Sequence, residues 1–455
     1  MKILNKTRFT LRILLLTSLL VFIAINFNSL STFADSNDDF TLVGLKYGST
    51  AVDTVSLQSE KGFMIGSMTG KLLTETNDYL NINNIQVLVS NGKLDLVGTD
   101  GNLPDSLNEN TELIILSSNF EDNGIIFCNN LPYRGGIVLR VNSQGKINVI
   151  NRLKNDEYLY GVVHMEMSQA NPIEALKAQA VAARNFLYLS RDRHSKDGFE
   201  VCNSTHCQVF GGYIKEYVKT NQAVDETRDQ LIYYNNIPIN AYYHKNSGGF
   251  TQDSETVWSS FIGYLRSVKD SYSPVYQWSY SYKKEDIKQK LADSGLANIG
   301  NIQSVGITGI NDDGYVSELE FIGSQGNIKL SKEKTRAVLG YTNIKSMNFT
   351  IGGDGFATSI LGSNESMVSA ETFHVQSINS DDIIIDSGSM NVINGEGRIS
   401  KISNIDSSLS DVIVFNGSGY GHGIGMSQDG AIEMAKEGYT YKDILEFYYT
   451  GVEIR

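Results

Sequence analysis

Alternating apolar and polar residues dominate the chain between residues 40 and 150. In IQVLV (85–89), every second residue is apolar, which is typical of a strand with one buried face. Asn91-Gly92 follows, and Leu94 and Leu96 resume the alternation, so the pattern predicts a hairpin with a tight turn. A second hairpin is predicted in the same way from IVLRV (137–141), Gln144-Gly145 and INVI (147–150).

Helical spacing replaces this alternation after residue 155. Apolar residues then recur three and four positions apart, and one acid falls on the same face. The residues of this face are Leu159, Val162, Val163, Glu166 and Met167. The spacing therefore predicts a helix on which the side chain of Glu166 lies on the apolar face.

A second helix is predicted directly after the first. Asn171 is a suitable N-cap, Pro172 suits the first helical position, and Glu174 stands three residues after the cap. This capping-box pattern predicts a helix that runs to about Arg191.

The rest of the chain mixes both kinds of pattern. Strands and short helices are expected between 231 and 350, and residues 352–410, rich in Gly, Ser, Asn and Asp, are expected to form a polar insertion with a hairpin or two. Near the end, Thr440 and Asp443 form a second capping-box pattern ahead of YKDILEFYY. Because regular βαβ alternation is missing, the fold class expected is α+β, with helices and antiparallel strands mixed.

The first 34 residues are typical of an export signal. Four basic residues flank or precede an apolar run of about 16 residues, and TFA, ending at Ala34, suits signal cleavage. The run is marginal against the roughly 20 residues that span a bilayer, so an uncleaved anchor is the alternative. Either way the rest of the chain is expected outside the cytoplasm, as a β-rich region (35–130) and a larger domain (131–455).

The charge of the chain limits its partners. The formal net charge is −13, and it becomes −17 if residues 1–34 are removed. Such an acidic body repels nucleic acid and anionic lipid, so nucleic acid is excluded as a partner and membrane contact is expected only through the N-terminal segment. Three cysteines are too few for a disulfide-built scaffold, although the expected compartment permits disulfides.

Glu166 stands between Met165 and Met167, and this environment suggests proton chemistry. A Glu with the ordinary pKa of about 4.3 is protonated in about 1 molecule in 500 at pH 7, whereas an apolar pocket that raises the pKa to about 6 gives roughly 1 in 10. A protonated acid is what glycosidic bond cleavage needs. The alternative is a helix-face glutamate that pairs with a lysine, which is the commoner role of a glutamate.

Four blocks of the sequence are distinctive. They are GVVHMEMSQANPIEALKAQAVAAR (161–184), VCNSTHCQVFGGY (201–213), YYHKNSGGFTQDSETVW (242–258) and GSGYGHGIGMSQDGAIEMAKEGYTYKDILEFYYTGVEI (417–454). In this order they resemble the blocks of the stage II sporulation protein D (SpoIID/LytB) family. The resemblance covers roughly residues 130–455 and implies a peptidoglycan protein: either a lytic transglycosylase that cleaves peptide-stripped glycan strands, or a non-enzymatic enhancer of a cell-wall amidase.

The resemblance implies roles for residues of the first block. The family's catalytic glutamate corresponds to Glu166, and its Lys, Gln and Arg correspond to Lys177, Gln179 and Arg184, interpreted as glycan-positioning groups. The guanidinium of Arg184 suits the carboxylate of muramic acid. In a lytic transglycosylase the same glutamate next acts as base and draws the C6 hydroxyl of muramic acid onto C1, so no second carboxylate is needed. The alternative for the three positioning residues is an ordinary helix surface.

Further groove residues are predicted from the third and fourth blocks. Tyr243, His244 and Ser247 are expected to line the groove, and Trp258 either stacks on a sugar or packs in the core. His422, among closely spaced glycines that let a polymer approach, is a candidate substrate contact. The glycine spacing is a weak nucleotide signal because no βαβ context accompanies it.

A metal site is predicted after the second helix. Four possible ligands lie within fourteen residues, and the family resemblance includes a metal-binding form of this loop, so a structural Zn²⁺ site is expected. The spacing of the two cysteines is not the CxxC of common zinc modules, and a disulfide between them is the alternative. The four residues are His194, Cys202, His206 and Cys207.

Overall fold

The computed structural model describes most of the chain after residue 36. Two ranges of the predictions, the export signal (1–34) and most of the polar insertion, lie outside the described residues. The description covers 37–98, 110–120, 124–352 and 411–455, with backbone alone at 75–78, and within 353–410 only the backbone of four short strands. Contacts divide the chain into a first unit, up to Tyr158 with residues 194–203, and a second unit, residues 159–193 and 204–455.

The first unit is built of strands. They form a seven-stranded sheet in the order β12-β1-β11-β10-β7-β3-β4 and a five-stranded sheet in the order β6-β5-β2-β8-β9. The bounds are β1 Phe40–Lys46, β2 Thr54–Gln58, β3 Phe63–Thr69, β4 Leu72–Leu80, β5 Asn84–Ser90, β6 Lys93–Gly98, β7 Glu112–Ser117, β8 Ile126–Cys128, β9 Leu131–Tyr133, β10 Gly136–Val141, β11 Ile147–Lys154 and β12 Val201–Cys202.

The first predicted hairpin is confirmed as β5 and β6. The turn residues Asn91 and Gly92 have φ angles of 52° and 76°, the left-handed region that this kind of tight turn requires. Val87 and Leu94 are fully buried, so the alternation predicted from the sequence places their face in the core. The second predicted hairpin is confirmed as the antiparallel pair β10 and β11.

The predicted domain boundary at residue 130 does not separate the units. Strands β10 and β11 lie after that boundary, yet β10 pairs with β7 and β11 pairs with β1 in the same sheet. The pairing of β1 with β11 places Phe40 opposite Lys154. Local sequence composition does not reveal a pairing between residues so far apart in the chain. The first unit therefore extends to Tyr158.

The second unit mixes helices with small sheets, which confirms the α+β class. Its helices are α1 Asn155–Glu166 (beginning in the first unit), α2 Ile173–Leu189, α3 Val218–Asp225, α4 Ser254–Trp258, α5 Lys284–Asp293, α6 Glu333–Leu339, α7 Gln428–Lys436 and α8 Tyr441–Tyr448. Among the described residues, no helix combines the length and the apolar character that crossing a membrane requires.

The strands of the second unit form small sheets. Their orders are β14-β13-β27, β15-β26, β16-β25-β20 and β17-β18-β19, with β21-β22 and β23-β24 as two-stranded pairs. The bounds are β13 Ile232–Tyr234, β14 Ile237–Pro238, β15 Tyr243–His244, β16 Gln277–Lys283, β17 Ile302–Ile310, β18 Val316–Gly323, β19 Gly326–Ser331, β20 Phe349–Gly352, β21 Thr372–Gln376, β22 Asp382–Asp386, β23 Asn391–Ile393, β24 Ile399–Lys401, β25 Val412–Ser418, β26 Met426–Ser427 and β27 Glu453–Ile454.

The capping box predicted at the start of α2 is wrong. Pro172 is the N-cap and no side chain caps the helix. The Glu174 carboxylate instead accepts hydrogen bonds from the Lys177 ammonium and from the backbone N–H of Tyr441, both at 2.8 Å. The carboxylate that the local pattern assigned to the capping box therefore bonds to Tyr441, a residue distant in sequence.

The capping box predicted for α8 is confirmed. The Thr440 hydroxyl accepts from the Asp443 N–H, and the Asp443 carboxylate accepts from the Thr440 N–H at 2.8 Å.

Thr440→Ala is expected to lower the free energy of unfolding by about 1 kcal/mol, because one N–H at the start of α8 loses its acceptor. Urea unfolding at unchanged slope measures this. Thr440→Ser, which keeps the hydroxyl, should retain most of the stability, and equal losses in the two variants would contradict a capping role.

Candidate active site

Helix α1 brings Glu166 to the edge of an apolar face. Leu159, Val162 and Val163 are completely buried on this face, and Glu166, the last residue of the helix, remains partly exposed. Of its two methionine neighbours, only Met167 is buried. The face therefore supplies apolar surroundings, while the carboxylate stays within reach of solvent.

The environment of Glu166 favours its protonated form. Burial raises the pKa of this carboxyl, and hydrogen bonds from Tyr243 and Gln428 oppose the increase without cancelling it. Its position at the C-terminus of α1, the negative end of the helix dipole, acts in the same direction as burial. The side chain can thus hold a proton at a higher pH than an exposed glutamate does.

Two short strands deliver both hydrogen-bond partners of Glu166. Strands β15 and β26 pair in parallel, with Tyr243 opposite Met426 and His244 opposite Ser427. Ser427 then caps α7, which begins at Gln428. The pairing therefore brings Tyr243 and Gln428, from different blocks of the sequence, to the same carboxyl group.

The amide of Gln428 contacts both Glu166 and Gln179. Its Nε2 lies 3.4 Å from the Glu166 Oε2, 3.4 Å from the Glu166 backbone oxygen and 3.2 Å from the Gln179 Oε1. Gln179 is completely buried on α2, and the glycan-positioning role predicted for it stays a prediction. Its side chain bonds to Gln428.

Lys177 is held by two carboxylates. Its Nζ lies 2.8 Å from Glu174 and 2.8 Å from Glu226, and its side chain is only 15% exposed. An anionic ligand that reached this ammonium would compete with Glu226, the more exposed of the two acids. The glycan contact predicted for Lys177 stays a prediction.

Arg184 is buried, and its predicted role as a glycan-positioning group stays a prediction. Its guanidinium donates to the backbone oxygens of Val224 at 3.1 Å and Gln230 at 3.4 Å, and to the Thr227 hydroxyl at 3.5 Å. These acceptors lie at and after the C-terminal end of α3, where helical carbonyls have no partner within the helix. Arg184 therefore stabilises the end of α3.

Arg184→Lys is expected to reduce the free energy of unfolding by about 1–3 kcal/mol, because an ammonium cannot reach all three acceptors and leaves buried carbonyls unbonded. Denaturant unfolding measures the loss. A variant of wild-type stability with weakened glycan binding would instead support a direct contact.

Two histidines of the groove prediction are neutral at pH 7. Burial lowers the pKa of His244 to about 4, and its Nδ1 donates to the Ile424 carbonyl at 3.1 Å. Burial also lowers the pKa of His422, whose Nδ1 accepts from the Ile424 N–H at 3.0 Å. His244 is 4% exposed, so the contact predicted for it with glycan does not fit its burial, whereas His422 is partly exposed and its contact stays a prediction.

Ser247 is buried as well, which corrects its assignment to the groove lining. Its hydroxyl accepts from the Gly249 N–H at 3.2 Å, and its backbone oxygen accepts from the Tyr315 hydroxyl. Trp258 is partly exposed and packs on Tyr242 with ring centroids 4.5 Å apart, so part of this ring serves packing.

Glycines in the segment 419–425 permit its close approach to β15. At Gly421, with a φ of 125°, an added Cβ would lie 2.5 Å from the His244 Cβ. At Gly425, with a φ of 68°, it would lie 2.1 Å from the Tyr242 carbonyl oxygen. Side chains at these positions would push apart the two segments that place Tyr243 and Gln428.

The four predicted metal ligands lie together in the loop 194–207. Their possible ligand atoms are all within 4.8 Å of one another. The Cys207 Sγ and the His206 Nδ1 are 3.6 Å apart, close to the roughly 3.5 Å edge of a tetrahedron with bonds of about 2.3 Å to sulfur and 2.0 Å to nitrogen. No disulfide joins Cys202 to Cys207 in this structure.

His194 has a partner that metal-binding histidines commonly have. Its Nδ1 lies 3.0 Å from the Asp197 carboxylate, an arrangement that orients the ring and leaves Nε2 for a metal. The ring is also stacked on Phe199, with centroids 4.7 Å apart. Cys202, a second candidate ligand, lies in β12 and is held in place by the pairing of β12 with β1. The residues present therefore fit a tetrahedral zinc site.

Comparison with known proteins shows a similarity to one family. A family model described as SpoIID, Stage II sporulation protein, matches residues 143–234, which include Glu166 and all four candidate metal ligands. Stage II sporulation protein D of Bacillus subtilis (strain 168) is 28% identical over 323 residues, 67% of this chain and 75% of that protein. The segment 143–234 is therefore similar to the SpoIID family.

Other proteins to which this chain is similar carry two different names. Stage II sporulation protein D of Bacillus amyloliquefaciens is 26% identical over 323 residues, covering 67% of this chain and 75% of that protein. A protein named amidase enhancer from Bacillus subtilis (strain 168) is 28% identical over 314 residues, or 65% of this chain. The match spans only 40% of the length of that enhancer.

Gln428 is the site residue that sequence reasoning missed. It stands in the fourth block, directly after Ser427, but a glutamine at the start of a helix has no distinctive local pattern. The tertiary fold brings it to Glu166, 262 positions away.

Proposed function

We propose that this protein cleaves the glycan strands of peptidoglycan as a lytic transglycosylase, with Glu166 as both acid and base. The observation that carries the proposal is a single carboxyl, kept partly exposed at the end of an apolar helix face, whose pKa is raised by burial. The family names support a role in the cell wall, because relatives are named for sporulation and for enhancing an amidase.

The reaction needs two proton transfers at one side chain. Glu166, protonated, gives its proton to the glycosidic oxygen as the bond from C1 of muramic acid to that oxygen breaks. The carboxylate that remains then takes the proton of the C6 hydroxyl as this oxygen bonds to C1, which closes a 1,6-anhydro ring. Glu166 ends protonated, as it began, and no water is consumed.

The surroundings of Glu166 suit this cycle better than hydrolysis with two carboxylates. Retaining glycosidases hold two carboxyl groups about 5–5.5 Å apart, so that each affects the pKa of the other. In the described part of the chain, the pKa of Glu166 responds to burial, Tyr243 and Gln428, and no second carboxylate contributes. The Tyr243 oxygen accepts from the Gln208 amide at 3.4 Å, so the hydroxyl hydrogen can be donated to Glu166.

A mass spectrum of the digest of purified glycan tests the reaction. Purified protein is incubated with strands that carry peptides and with strands stripped of them. The proposal expects anhydromuramyl-ended fragments, released faster from the stripped strands. Reducing ends would make the protein a hydrolase, and intact strands at every pH would reject an enzymatic role.

A second candidate is a non-enzymatic module that binds wall glycan and activates an amidase. The relative named amidase enhancer favours it. If Glu166→Gln retained full biological activity while substitutions at exposed groove positions did not, this second function would be preferred.

We also propose that the loop 194–207 holds a structural zinc ion and that the protein is exported to the wall. The donor set of two cysteines and two histidines supports the first proposal, because a closed tetrahedral site of this kind needs no open position. Such an ion would neutralise the thiolates and fix the loop. The basic and apolar N-terminal sequence supports the second.

A further inference from the structure

The side chain of Gln428 is held between the proposed acid and a buried amide. It has two N–H donors and three acceptors in range: the Gln179 Oε1 at 3.2 Å, and the Oε2 and backbone oxygen of Glu166 at 3.4 Å each. Gln428 is 6% exposed and Gln179 is completely buried, so the contact between these two amides is shielded from solvent. The chain of contacts runs from α2 through α7 to the end of α1.

The backbone of Gln428 is fixed as firmly as its side chain. It is the first residue of α7, and the preceding Ser427 accepts a hydrogen bond from the Gly430 N–H at 3.2 Å. Ser427 also lies in β26, opposite His244 of β15. The amide therefore approaches Glu166 from a rigid support, which is how functional groups are best positioned.

We propose that Gln428 is a positioning residue for Glu166, that it holds the carboxylate when this is ionised, and that Gln179 acts only through Gln428. The roles in catalysis rest on the proposed function; the contacts themselves do not. Gln179 is thereby removed from the glycan-binding set and assigned to the support of the acid. Among the described residues its Nε2 has no acceptor, and its Oε1 accepts from Gln428 at 3.2 Å, which links Gln179 to Glu166 through Gln428.

The distances show why this contact favours one stage of the cycle. The 3.4 Å separations from Glu166 exceed the usual 2.7–3.2 Å of an N–H···O bond. Bonds to an ionised acceptor are shorter and stronger, so the contact tightens when Glu166 has given up its proton. Gln428 then orients the base toward the C6 hydroxyl, and it returns to a loose contact when Glu166 is protonated again.

Gln428→Met tests the proposal, because methionine has a similar length and no donor. The alkaline limb of the pH profile of kcat/KM, which reports the loss of the proton from the acid, is expected to move up by about one pH unit. Without the donor the ionised form is less stable, so the proton is retained to higher pH. We expect kcat to fall roughly tenfold, and KM to change less than about twofold, because Gln428 does not touch the glycan.

A direct titration of Glu166 keeps the test independent of activity. The carboxyl carbon of glutamate is labelled with ¹³C, and Glu166 is assigned by the signal missing in Glu166→Gln. Its titration midpoint should rise in Gln428→Met and stay unchanged in Glu433→Gln, a control on the outer face of the same helix. An unchanged midpoint and an unchanged alkaline limb in folded Gln428→Met would overturn the proposal.

A double-mutant cycle tests the role of Gln179. If Gln179 acts through Gln428, then Gln179→Met combined with Gln428→Met should lower kcat no further than Gln428→Met alone. Multiplying effects, or a higher KM in Gln179→Met, would restore Gln179 as a glycan contact and overturn that part. If wild-type protein cleaves no glycan while the midpoint of Glu166 shifts as expected, the proposed function fails and the positioning contact stands.

Discussion

Glu166→Gln is expected to reduce the release of anhydro-ended fragments by roughly 10³–10⁴-fold, because glutamine can neither give a proton to the glycosidic oxygen nor take one from the C6 hydroxyl. Mass spectrometry of timed digests of peptide-stripped strands measures the rate. Binding of the strands should remain, since the amide has nearly the shape of the carboxyl. The matched control is Glu433→Gln, which alters a partly exposed glutamate paired with Lys436 and should keep the wild-type rate.

The same variant makes a second measurement possible. The pKa of Glu166 is higher in the folded state than in the unfolded state, so folding favours the protonated form. The stability that this provides is fully present below the pKa of the unfolded state. It is lost as pH rises through the pKa of the folded state. As pH rises toward 7, ionisation of Glu166 costs more free energy in the folded state than in the unfolded state, whereas the amide of the variant does not titrate. Glu166→Gln should therefore be at least as stable as wild type at pH 7, and this difference should shrink toward pH 4.

These two measurements separate an acid from a structural residue. An inactive variant that is equally or more stable at pH 7 identifies a group kept for chemistry at a cost in stability. If Glu166→Gln lost stability at pH 7 and retained cleavage, Glu166 would be an ordinary helix-face glutamate. The enzymatic proposal would then be rejected.

Local patterns predicted the elements whose stabilising contacts are themselves local. The hairpin of β5 and β6 follows from Asn91-Gly92 and the alternation on both sides of it. The capping box of Thr440 and Asp443 is likewise closed within four residues. In each case the chemistry that defines the element is present in a short stretch of sequence.

Predictions failed where a distant partner decides. Glu174 has the spacing of a capping box, but it bonds to Tyr441 from a later helix. The boundary predicted at residue 130 divides a sheet in which Phe40 pairs with Lys154. Arg184 lies on a predicted helix surface, but α3 covers it and supplies acceptors for its guanidinium. Each sequence pattern describes the local chain correctly, but tertiary contacts decide which partner its residues bond to.

The candidate site shows the same division. Family resemblance and the apolar face together pointed to Glu166, and the structure gives this residue a raised pKa. Four residues predicted to touch glycan are instead buried beside the site: Gln179, Arg184, His244 and Ser247. A functional block in sequence contains both the groups that meet a ligand and those that support them, and burial, which sequence alone does not give, separates the two.

Cys202→Ser is expected to abolish metal binding and to destabilise the protein. Elemental analysis of the wild type should give about one zinc per chain, and the variant close to none, because a serine hydroxyl is a poor substitute for a thiolate. A metal that joins four side chains restricts the chain much as a disulfide does, and losing such a cross-link costs about 2–5 kcal/mol. Each kcal/mol lowers the thermal midpoint by about 2–4 °C in a domain of roughly 150–250 residues.

Cys128→Ser is the matched control for this prediction. Cys128 is also a buried thiol, and burial raises its pKa to about 12, so it remains a neutral thiol at neutral pH. This variant should keep its zinc whatever its effect on stability, whereas a chelator should lower the midpoint of the wild type and leave Cys202→Ser unchanged. Wild-type protein without metal, in which Cys202 and Cys207 react with an alkylating reagent only after reduction, would establish a disulfide and reject the zinc site. Protection of both thiols by metal alone, reversed by the chelator without any reductant, would establish the site that the contact of His194 with Asp197 and the 3.6 Å approach of His206 to Cys207 already favour.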